Sequence, residues 1–354
     1  IPTGTMLEWQ AQSWTRPLLS AKKRLVLVLH DNAESHHPVF DQISALAKDW
    51  SEARIDHLLR NAEVLPPTAS VPPTIEVARQ QIPQKNRWWR LPAHVEFPRR
   101  KSESFTSLEK FLYSPHQWVL NYQAYIRPGP LTEVAEGSTL KGLLTHELFE
   151  QFFNTHKDIA SIDVGEARLW ARDRMLQLIE QRGAVLFLPG RQSEREFFID
   201  IAIRALVRLV EHLQSANIVS IEMEHEVDAS FNGGSMNGSI DLLAKNKDGL
   251  DAVVDIKWGG LTYRQETLQH SKYLQLSLYA QLVRHARSRY PVLGYYIIRD
   301  ARLLMLSTDY FPNALVIEPE NGESHLELWQ RIEATWEWRR QQMNEGLIEV
   351  PVSG

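Results

Sequence analysis

Two aspartates and a lysine interrupt apolar segments near residue 250, where strand residues would normally be buried. Asp241 lies within residues 239–244, and Asp255 and Lys257 lie within residues 252–258. Charged groups in apolar strands are costly to bury unless they pair with each other or with a metal ion. These three residues are therefore candidates for chemistry rather than for packing.

The stretch Asn-Lys-Asp-Gly at 246–249 predicts that the two segments form a hairpin, because Asp-Gly readily adopts the positive φ angles of a tight turn. A three-residue loop at 247–249 would set Asp241 directly across from Asp255. Opposed side chains have Cβ atoms about 4.5–5.5 Å apart, and the period of two places Lys257 on the same face. A slip of one residue would send one aspartate to the other face.

Two carboxylates at that separation repel and raise each other's pKa unless a cation lies between them. A divalent cation held by oxygen atoms, with an ammonium group beside it, would relieve the repulsion. The same spacing also fits a half-exposed hairpin whose charged residues face water. The hairpin alone leaves both interpretations open.

The composition excludes several classes of protein. Of the 354 residues, 43% are hydrophobic and 23% are charged, which is typical of a globular protein. The net charge of −5 provides no overall basic field, so any contact with nucleic acid must use local patches. No cysteine is present, which excludes disulfides and cysteine-ligated metal clusters within these residues. With no apolar run of about 18 residues and no signal-peptide pattern, we expect a cytoplasmic protein.

The elements that would position the hairpin indicate an α/β or α+β domain. Helices are predicted at 104–120, 138–156, 164–182, 191–215, 267–289 and 323–345. Strands are predicted at 219–231, 236–245, 250–258 and 293–299.

The N-terminal part of the chain is organised differently. Residues 1–62 predict a short α/β segment with one strand and two helices, and the proline-rich residues 63–102 predict a linker. Two basic clusters with interleaved aromatic residues, 85–90 and 98–101, lie in this linker. They are compatible with nucleic-acid contact and equally with a solvated linker.

Two helices carry further candidate residues. Gly142 and His146 are spaced by one turn on the helix at 138–156. Gln275 and Tyr279 have the same spacing on the helix that follows the hairpin. A lone histidine on an amphipathic helix is usually structural, and a Gln–Tyr pair usually lies at the edge of a core. Each motif is weak by itself.

Taken in order, the motifs Gly-x-x-x-His, Gly-x-Ile-Asp, Asp-Ile-Lys and Gln-x-x-x-Tyr resemble the PD-(D/E)XK nuclease superfamily. The chain is most similar to the branch that contains the RecB and AddB nuclease domains and Cas4. The resemblance covers residues from about 103 to 300 and implies a nuclease domain at 103–354. It also implies an α/β (α+β) fold with a restriction-endonuclease-like core. In this core helices flank a central mixed sheet, and extra helices are added to it.

The resemblance implies a Mg²⁺ or Mn²⁺ site, and the lack of cysteine excludes an iron–sulfur cluster within these residues. Its protein ligands would be His146, Asp241, Asp255 and the carbonyl of Ile256. An acid on the first strand often completes such a site, and Glu224 and Glu226 are both candidates.

Other roles also follow from the resemblance. Lys257 would orient or deprotonate the attacking water and offset the charge that develops on the phosphate. Gln275 and Tyr279 would brace this lysine or contact the DNA backbone. The bound metal would polarise a phosphoryl oxygen and lower the pKa of its water.

The chain departs from many relatives in lacking the four cysteines of their iron–sulfur cluster. Ser114, followed by Pro115, lies where the first cluster cysteine is expected. The last helix must then dock by packing, and Trp329, Trp336 and Trp338 are the candidates for that contact.

Residues 1–62 are similar to the end of the helicase-like region that precedes such nuclease domains, and the chain contains no Walker A motif. The resemblance therefore implies a helicase or ATPase partner, or a helicase region on the same polypeptide. We expect a metal-dependent DNA nuclease that works with a helicase in DNA repair or anti-phage defence. The alternative is a catalytically silent DNA-binding or scaffold module of a helicase–nuclease complex.

Overall fold

The computed structural model describes one part of the chain in detail: residues 87–92, 95–126, 137–231, 234–307 and 310–350. All of these belong to the second of two compact units, Pro83–Gly354. The predicted N-terminal segment, 1–62, and most of the predicted linker lie outside the described residues and stay predictions.

The described residues form helices and strands in the following order along the chain. The helices are α1 Phe105–Tyr113, α2 Pro115–Trp118, α3 Gly137–Thr155, α4 Val164–Arg182, α5 Gln192–Ser215, α6 Leu261–Gln269, α7 Leu274–Arg287 and α8 His325–Asn344. The strands are β1 Trp88–Arg90, β2 Ser102–Ser104, β3 Ile218–Phe231, β4 Gly234–Asn246, β5 Asp251–Lys257, β6 Val292–Ile297, β7 Arg302–Met305, β8 Leu315–Val316 and β9 Leu347–Glu349. None of these helices has the length and apolarity needed to cross a membrane.

The strands β2 to β8 form one mixed sheet in which β4 is shared by three neighbours. The order is β2-β4-β5-β6-β7-β8, and β3 pairs along the other edge of β4. Residues 235–237 of β4 pair with β2 in parallel, and residues 242–245 pair with β5 in antiparallel orientation. The sheet therefore forks at residues 238–241, between β2 and β5.

Helices cover both faces of this sheet, as the sequence predicted. On one face α3, α4 and α5 form a core that includes Phe152, Met175 and Leu206. On the other face α1, α7 and α8 form a second core. Alternate residues of β5 enter the two cores, Val254 the first and Val253 the second, which explains why this strand is apolar almost throughout.

The β4–β5 hairpin has the register that its turn predicted. Four consecutive pairs join the strands, and a hydrogen bond that Asn246 N donates to the Leu250 carbonyl at 3.0 Å closes the three-residue loop 247–249. Gly249 adopts a φ of +75°, which is the conformation that requires glycine. One step beyond the last pair, the same register sets Asp241 opposite Asp255.

Two of the predicted helices are interrupted in the structure. The prediction of one helix over 267–289 was wrong, because the chain leaves the helical conformation between α6 and α7, where Ser271 has a φ of +51°. No proline or glycine marks this break in the sequence. The helix predicted over 104–120 is divided at Pro115, which starts α2 because its ring is tolerated in the first helical turn.

The beginning and end of the described unit are joined by strand pairing and by charge. Residues 88–90, which fall within the predicted linker, form β1 and pair with β9. Glu349 on β9 is only 8% exposed and accepts hydrogen bonds from Arg87 and from Arg339 of α8 at 2.5 Å each. Arg339 also donates to the carbonyl of Leu112, next to the end of α1.

The last helix docks through tryptophans in addition to these ion pairs. Trp329 and Trp336 are buried, and both rings pack edge-on against Phe231. Trp338, by contrast, is half exposed. Two of the three predicted tryptophan anchors are therefore in the interface.

Replacing Glu349 by alanine should lower the free energy of unfolding by about 3 kcal/mol, because Arg339 would stay buried without its partner. Urea denaturation followed by circular dichroism measures this change. Glu345→Ala is the matched control, since Glu345 is exposed and its removal should cost less than about 0.5 kcal/mol. Equal losses in the two variants would contradict a stabilising role for the Glu349 ion pairs.

Candidate active site

Three neighbouring strands place a carboxylate at the same level of the sheet. Pairing of β3 with β4 continues on both sides of Glu224 and sets this residue opposite Asp241. The β4–β5 register sets Asp241 opposite Asp255. We call these three residues the carboxylate row. Asp241 and Asp255 are buried, whereas Glu224 is partly exposed.

Glu224 distorts the strand on which it lies. Its φ of +48° is rare for a residue with a side chain and marks a strained position. Met223 packs against the core of α3–α5, whereas Val227 packs against the core of α7 and α8. In a regular strand these two residues would share a face, since side chains alternate with a period of two. The strand therefore changes faces at the carboxylate row.

Side chains form hydrogen bonds with both the backbone N–H and the backbone carbonyl of Ile256. The Ile256 N–H donates to Oδ2 of Asp241 at 2.7 Å, and Nε2 of His146 lies 3.1 Å from the Ile256 carbonyl oxygen. Because a carbonyl only accepts, Nε2 carries the proton and Nδ1 faces Glu224, with 3.5 Å between Nδ1 and Oε1. The carbonyl keeps a second lone pair, so this bond is compatible with coordination of a metal.

His146, Glu224 and Asp241 form the cluster best suited to a cation. One nitrogen or oxygen atom from each of the three lies within 4.8 Å of the others. Imidazole and carboxylate groups together suit a divalent ion. Asp255 lies beside this cluster and pairs with Lys257, whose Nζ is 2.7 Å from Oδ2 of Asp255 and 3.9 Å from Oδ2 of Asp241.

Asp255 is the most deeply buried charge of the site, with 0% of its surface exposed. Apart from the ammonium of Lys257, neither of its oxygens has a partner among the described residues. Burial and repulsion from Asp241 raise the pKa of Asp255 to about 6, although Lys257 opposes this shift. A buried carboxylate so short of donors fits a site completed by a metal ion.

The charges of the cluster act on one another. Burial raises the pKa of Asp241, while the charges of His146 and Lys257 oppose that change. The hydrogen bond with His146 lowers the pKa of Glu224, and so does a hydrogen bond that Ser239 Oγ donates at 3.0 Å. Burial disfavours the charged form of His146, yet Glu224 and Asp241 outweigh this and raise its pKa.

The Gln-x-x-x-Tyr pair of α7 packs directly on β4. Gln275 Nε2 donates to Oη of Tyr279 at 3.1 Å rather than contacting Lys257. A Cβ atom on Gly238 would lie 2.8 Å from the Tyr279 ring, so glycine at this position lets the helix approach. Burial raises the pKa of Tyr279, and the charge of Asp255 adds to it. The hydroxyl group therefore stays protonated and able to donate.

The two acids that the sequence left as alternatives are separated by the structure. Glu224 belongs to the cluster, whereas Glu226 is exposed and lies outside it. Tyr295 and Arg264 were missed by the sequence analysis. Tyr295 lies opposite Asp255 on β6, and the Arg264 guanidinium lies 5.0 Å from the centre of its ring. No local motif marks either residue, because β6 and α6 bring them to the site from separate parts of the chain.

Comparison with known proteins places this geometry in context. The family model of the PD-(D/E)XK nuclease superfamily matches residues 102–347, from β2 to the start of β9. Among solved structures, one crystal structure of a protein from Eubacterium rectale, described as an exonuclease, is similar to this chain. The two sequences are 11% identical, and the TM-score is 0.40. The match covers 70% of this chain and 84% of that chain, and a TM-score this low supports no inference. No curated protein matches the chain.

The burial of Asp255 predicts that the metal-free protein becomes more stable as the pH falls from 7.5 to 5. Its folded pKa of about 6 exceeds the unfolded value near 4, so the native state binds the proton more tightly. Relative to Asp255→Asn, which cannot titrate, the wild type should gain roughly 1 kcal/mol of unfolding free energy. Urea titrations in EDTA at the two pH values measure this gain. A difference between the two proteins that does not change with pH would contradict it.

Proposed function

The chain belongs to the PD-(D/E)XK nuclease superfamily, and on this premise we propose that it is a Mg²⁺- or Mn²⁺-dependent deoxyribonuclease. The observation that carries the proposal is the carboxylate row, with His146 beside Glu224 and Lys257 beside Asp255. This arrangement offers ligands for a cation and an ammonium group next to the same site. It supports hydrolysis of a phosphodiester bond better than a purely structural role.

A metal ion would be held by His146, Glu224 and Asp241, with Asp255 and the Ile256 carbonyl as the remaining proposed ligands. When bound, it would polarise a phosphoryl oxygen and lower the pKa of its water. Glu224 replaces Glu226 in the proposal because only the Glu224 carboxylate lies in the cluster.

Lys257 is proposed to orient the attacking water and to offset the negative charge that develops on the phosphate. Its ammonium group lies between the two aspartates, and 26% of its side chain is exposed. The ion pair with Asp255 favours this role over deprotonation of the water. Lys257 could act as a base only after it lost its own proton, and the ion pair stabilises the protonated form.

Tyr279 is proposed to contact the DNA backbone, with Gln275 as its positioning residue. The protonated hydroxyl of Tyr279 can donate to a phosphate oxygen. The hydrogen bond from Gln275 fixes the direction of that hydroxyl.

The wider context of the activity is a further part of the proposal. A helicase or ATPase partner, and a role in DNA repair or anti-phage defence, are supported by the similarity of residues 1–62 to the end of a helicase-like region. Co-purification of tagged chain with an ATPase from its own cells, compared with a chain that lacks residues 1–62, tests this partnership.

The cleavage assay tests the proposal directly. With Mg²⁺ or Mn²⁺ the wild type should cleave labelled DNA, and Glu224→Ala, Asp255→Ala and Lys257→Ala should each lower the rate about 100-fold or more, because each removes charge stabilisation at the reacting phosphate. Glu226→Ala is the matched control for Glu224→Ala and should cleave at the wild-type rate.

Two results would contradict the proposal. Cleavage that persists in both Asp255→Ala and Lys257→Ala would show that the reaction occurs elsewhere. Wild-type protein that binds DNA but does not cleave it with any metal ion would favour the scaffold alternative. RNA of the same sequence in the same assay shows whether the substrate is DNA.

Metal binding should separate the roles of the acids and the lysine. Calorimetric titration with Mn²⁺ should show loss of binding in Asp241→Ala and Asp255→Ala, because each removes a proposed ligand. Lys257→Ala should bind Mn²⁺ at least as well as wild type, since it removes a nearby positive charge. Binding that is lost in Lys257→Ala and kept in Asp241→Ala would reverse the assignment.

A further inference from the structure

We propose that α6 and the end of α1 form a stacking platform for unpaired bases, along which a single strand of DNA approaches the carboxylate row. The platform consists of two exposed tyrosines, Tyr263 and Tyr113, and two arginines, Arg264 and Arg331. This inference rests on the proposed function and deepens it, because it names the form of DNA that the site receives.

A series of contacts leads from the carboxylate row to the platform. Tyr295 lies directly across from Asp255 on β6 and is only 1% exposed. The guanidinium carbon of Arg264 lies 5.0 Å from the centre of the Tyr295 ring and 5.1 Å from the centre of the Tyr263 ring. Tyr263 is 62% exposed. Arg264 therefore connects a buried ring beside the site with an exposed ring on the surface.

The start of α6 keeps the platform close to Lys257. Gly260, with a φ of +85°, turns the chain out of β5 and precedes the first residue of α6. Tyr263 lies in the first turn of this helix, six residues after Lys257. Even a fully extended chain would limit the separation of their Cα atoms to about 20 Å, which a strand of a few nucleotides can span.

The second tyrosine and the second arginine extend the surface. Tyr113 is the last residue of α1 and is 60% exposed. Desolvation raises the pKa of its hydroxyl; Arg331 opposes this shift, whereas Glu109 and Tyr263 add to it, so these groups lie within electrostatic range of Tyr113. Arg331 donates to the carbonyl of Ser271 at 3.0 Å, in the segment between α6 and α7.

Arg331 also pairs with Glu323 at 3.0 Å, but its side chain is 54% exposed. The Glu323 side chain is only 15% exposed, and both it and the Ser271 carbonyl accept from Nη2 of Arg331, so a phosphate group would bind the exposed remainder of the guanidinium.

This combination fits a single strand rather than a duplex. Exposed aromatic rings bind unpaired bases by stacking, whereas the bases of a duplex already stack on one another. Arginines next to the rings contact phosphate groups and add cation–π attraction. With a net charge of −5, the chain offers no general attraction for DNA, so recognition must come from a local surface of this kind.

Fluorescence anisotropy with a labelled 20-nucleotide strand, and with the matching duplex, tests the platform. The titration is run in EDTA at low salt, so that no cleavage occurs. Tyr263→Ala should bind the single strand about tenfold more weakly, as expected for loss of one stacked base, and Tyr113→Ala should also weaken it. Tyr263→Phe should bind like wild type, because it keeps the ring.

The control is Phe197→Ala, which removes an aromatic side chain that is 67% exposed on α5, a helix of the other sheet face. It should leave single-strand binding unchanged. Thermal melting of each variant identifies any loss of folding. Unchanged binding by Tyr263→Ala and Tyr113→Ala would overturn the platform, and so would an equal loss for single strand and duplex.

Cleavage of the same oligonucleotides in Mg²⁺ separates this inference from the proposed function. If Asp255→Ala abolishes cleavage while Tyr263→Ala keeps full single-strand affinity, the platform is wrong and the nuclease assignment stands. If wild-type protein does not cleave while Tyr263→Ala loses single-strand binding, the nuclease assignment is wrong and the platform stands.

Discussion

The hydrogen bond from the Ile256 N–H to Asp241 holds together the part of the sheet on which the site depends. The β4–β5 ladder ends one residue before Asp241, and the carboxylate then takes the place of the next main-chain partner. Because a buried N–H must be paired, the sheet can open at this point only if a side chain supplies the acceptor. At this opening His146 reaches the carbonyl of the same residue, with Nε2 3.1 Å from the oxygen. The hydrogen bond between Asp241 and Ile256 also keeps the Asp241 carboxylate next to Asp255, in the part of the site that water reaches least.

Much of this arrangement could be predicted because it is encoded locally. The Asp-Gly turn and the apolar strands determine the β4–β5 register, and the register determines that Asp241 faces Asp255. The helices predicted at 164–182 and 191–215 likewise agree with α4 and α5 nearly residue for residue. The four motifs in order then gave the family, which the match over residues 102–347 confirms.

The remainder depended on interactions between distant parts of the chain. Glu224 and Glu226 are equivalent in sequence, and the β3–β4 register together with the positive φ at Glu224 decides which one faces His146. Glutamate is not a residue that signals such a conformation. The break before α7 was hidden because packing, rather than the spacing of apolar residues, sets it. Tyr295 lies at the site because β6 pairs with β5 in parallel, and Arg264 lies beside it because α6 carries it there. No single sequence motif marks either position.

The pairing of β1 with β9 also determines how the unit would respond to tension. The chain enters β1 and leaves β9 at the same end of this antiparallel pair, where Val350 N donates to the Arg87 carbonyl at 2.7 Å. Force applied across residues 87 and 350 would separate the pair one rung at a time instead of sliding the strands past each other. The contact between Arg87 and Glu349 would carry the force first. Mechanical resistance at this end is thus set by the short β1–β9 pair and the ion pairs of Glu349, independently of the large sheet behind it.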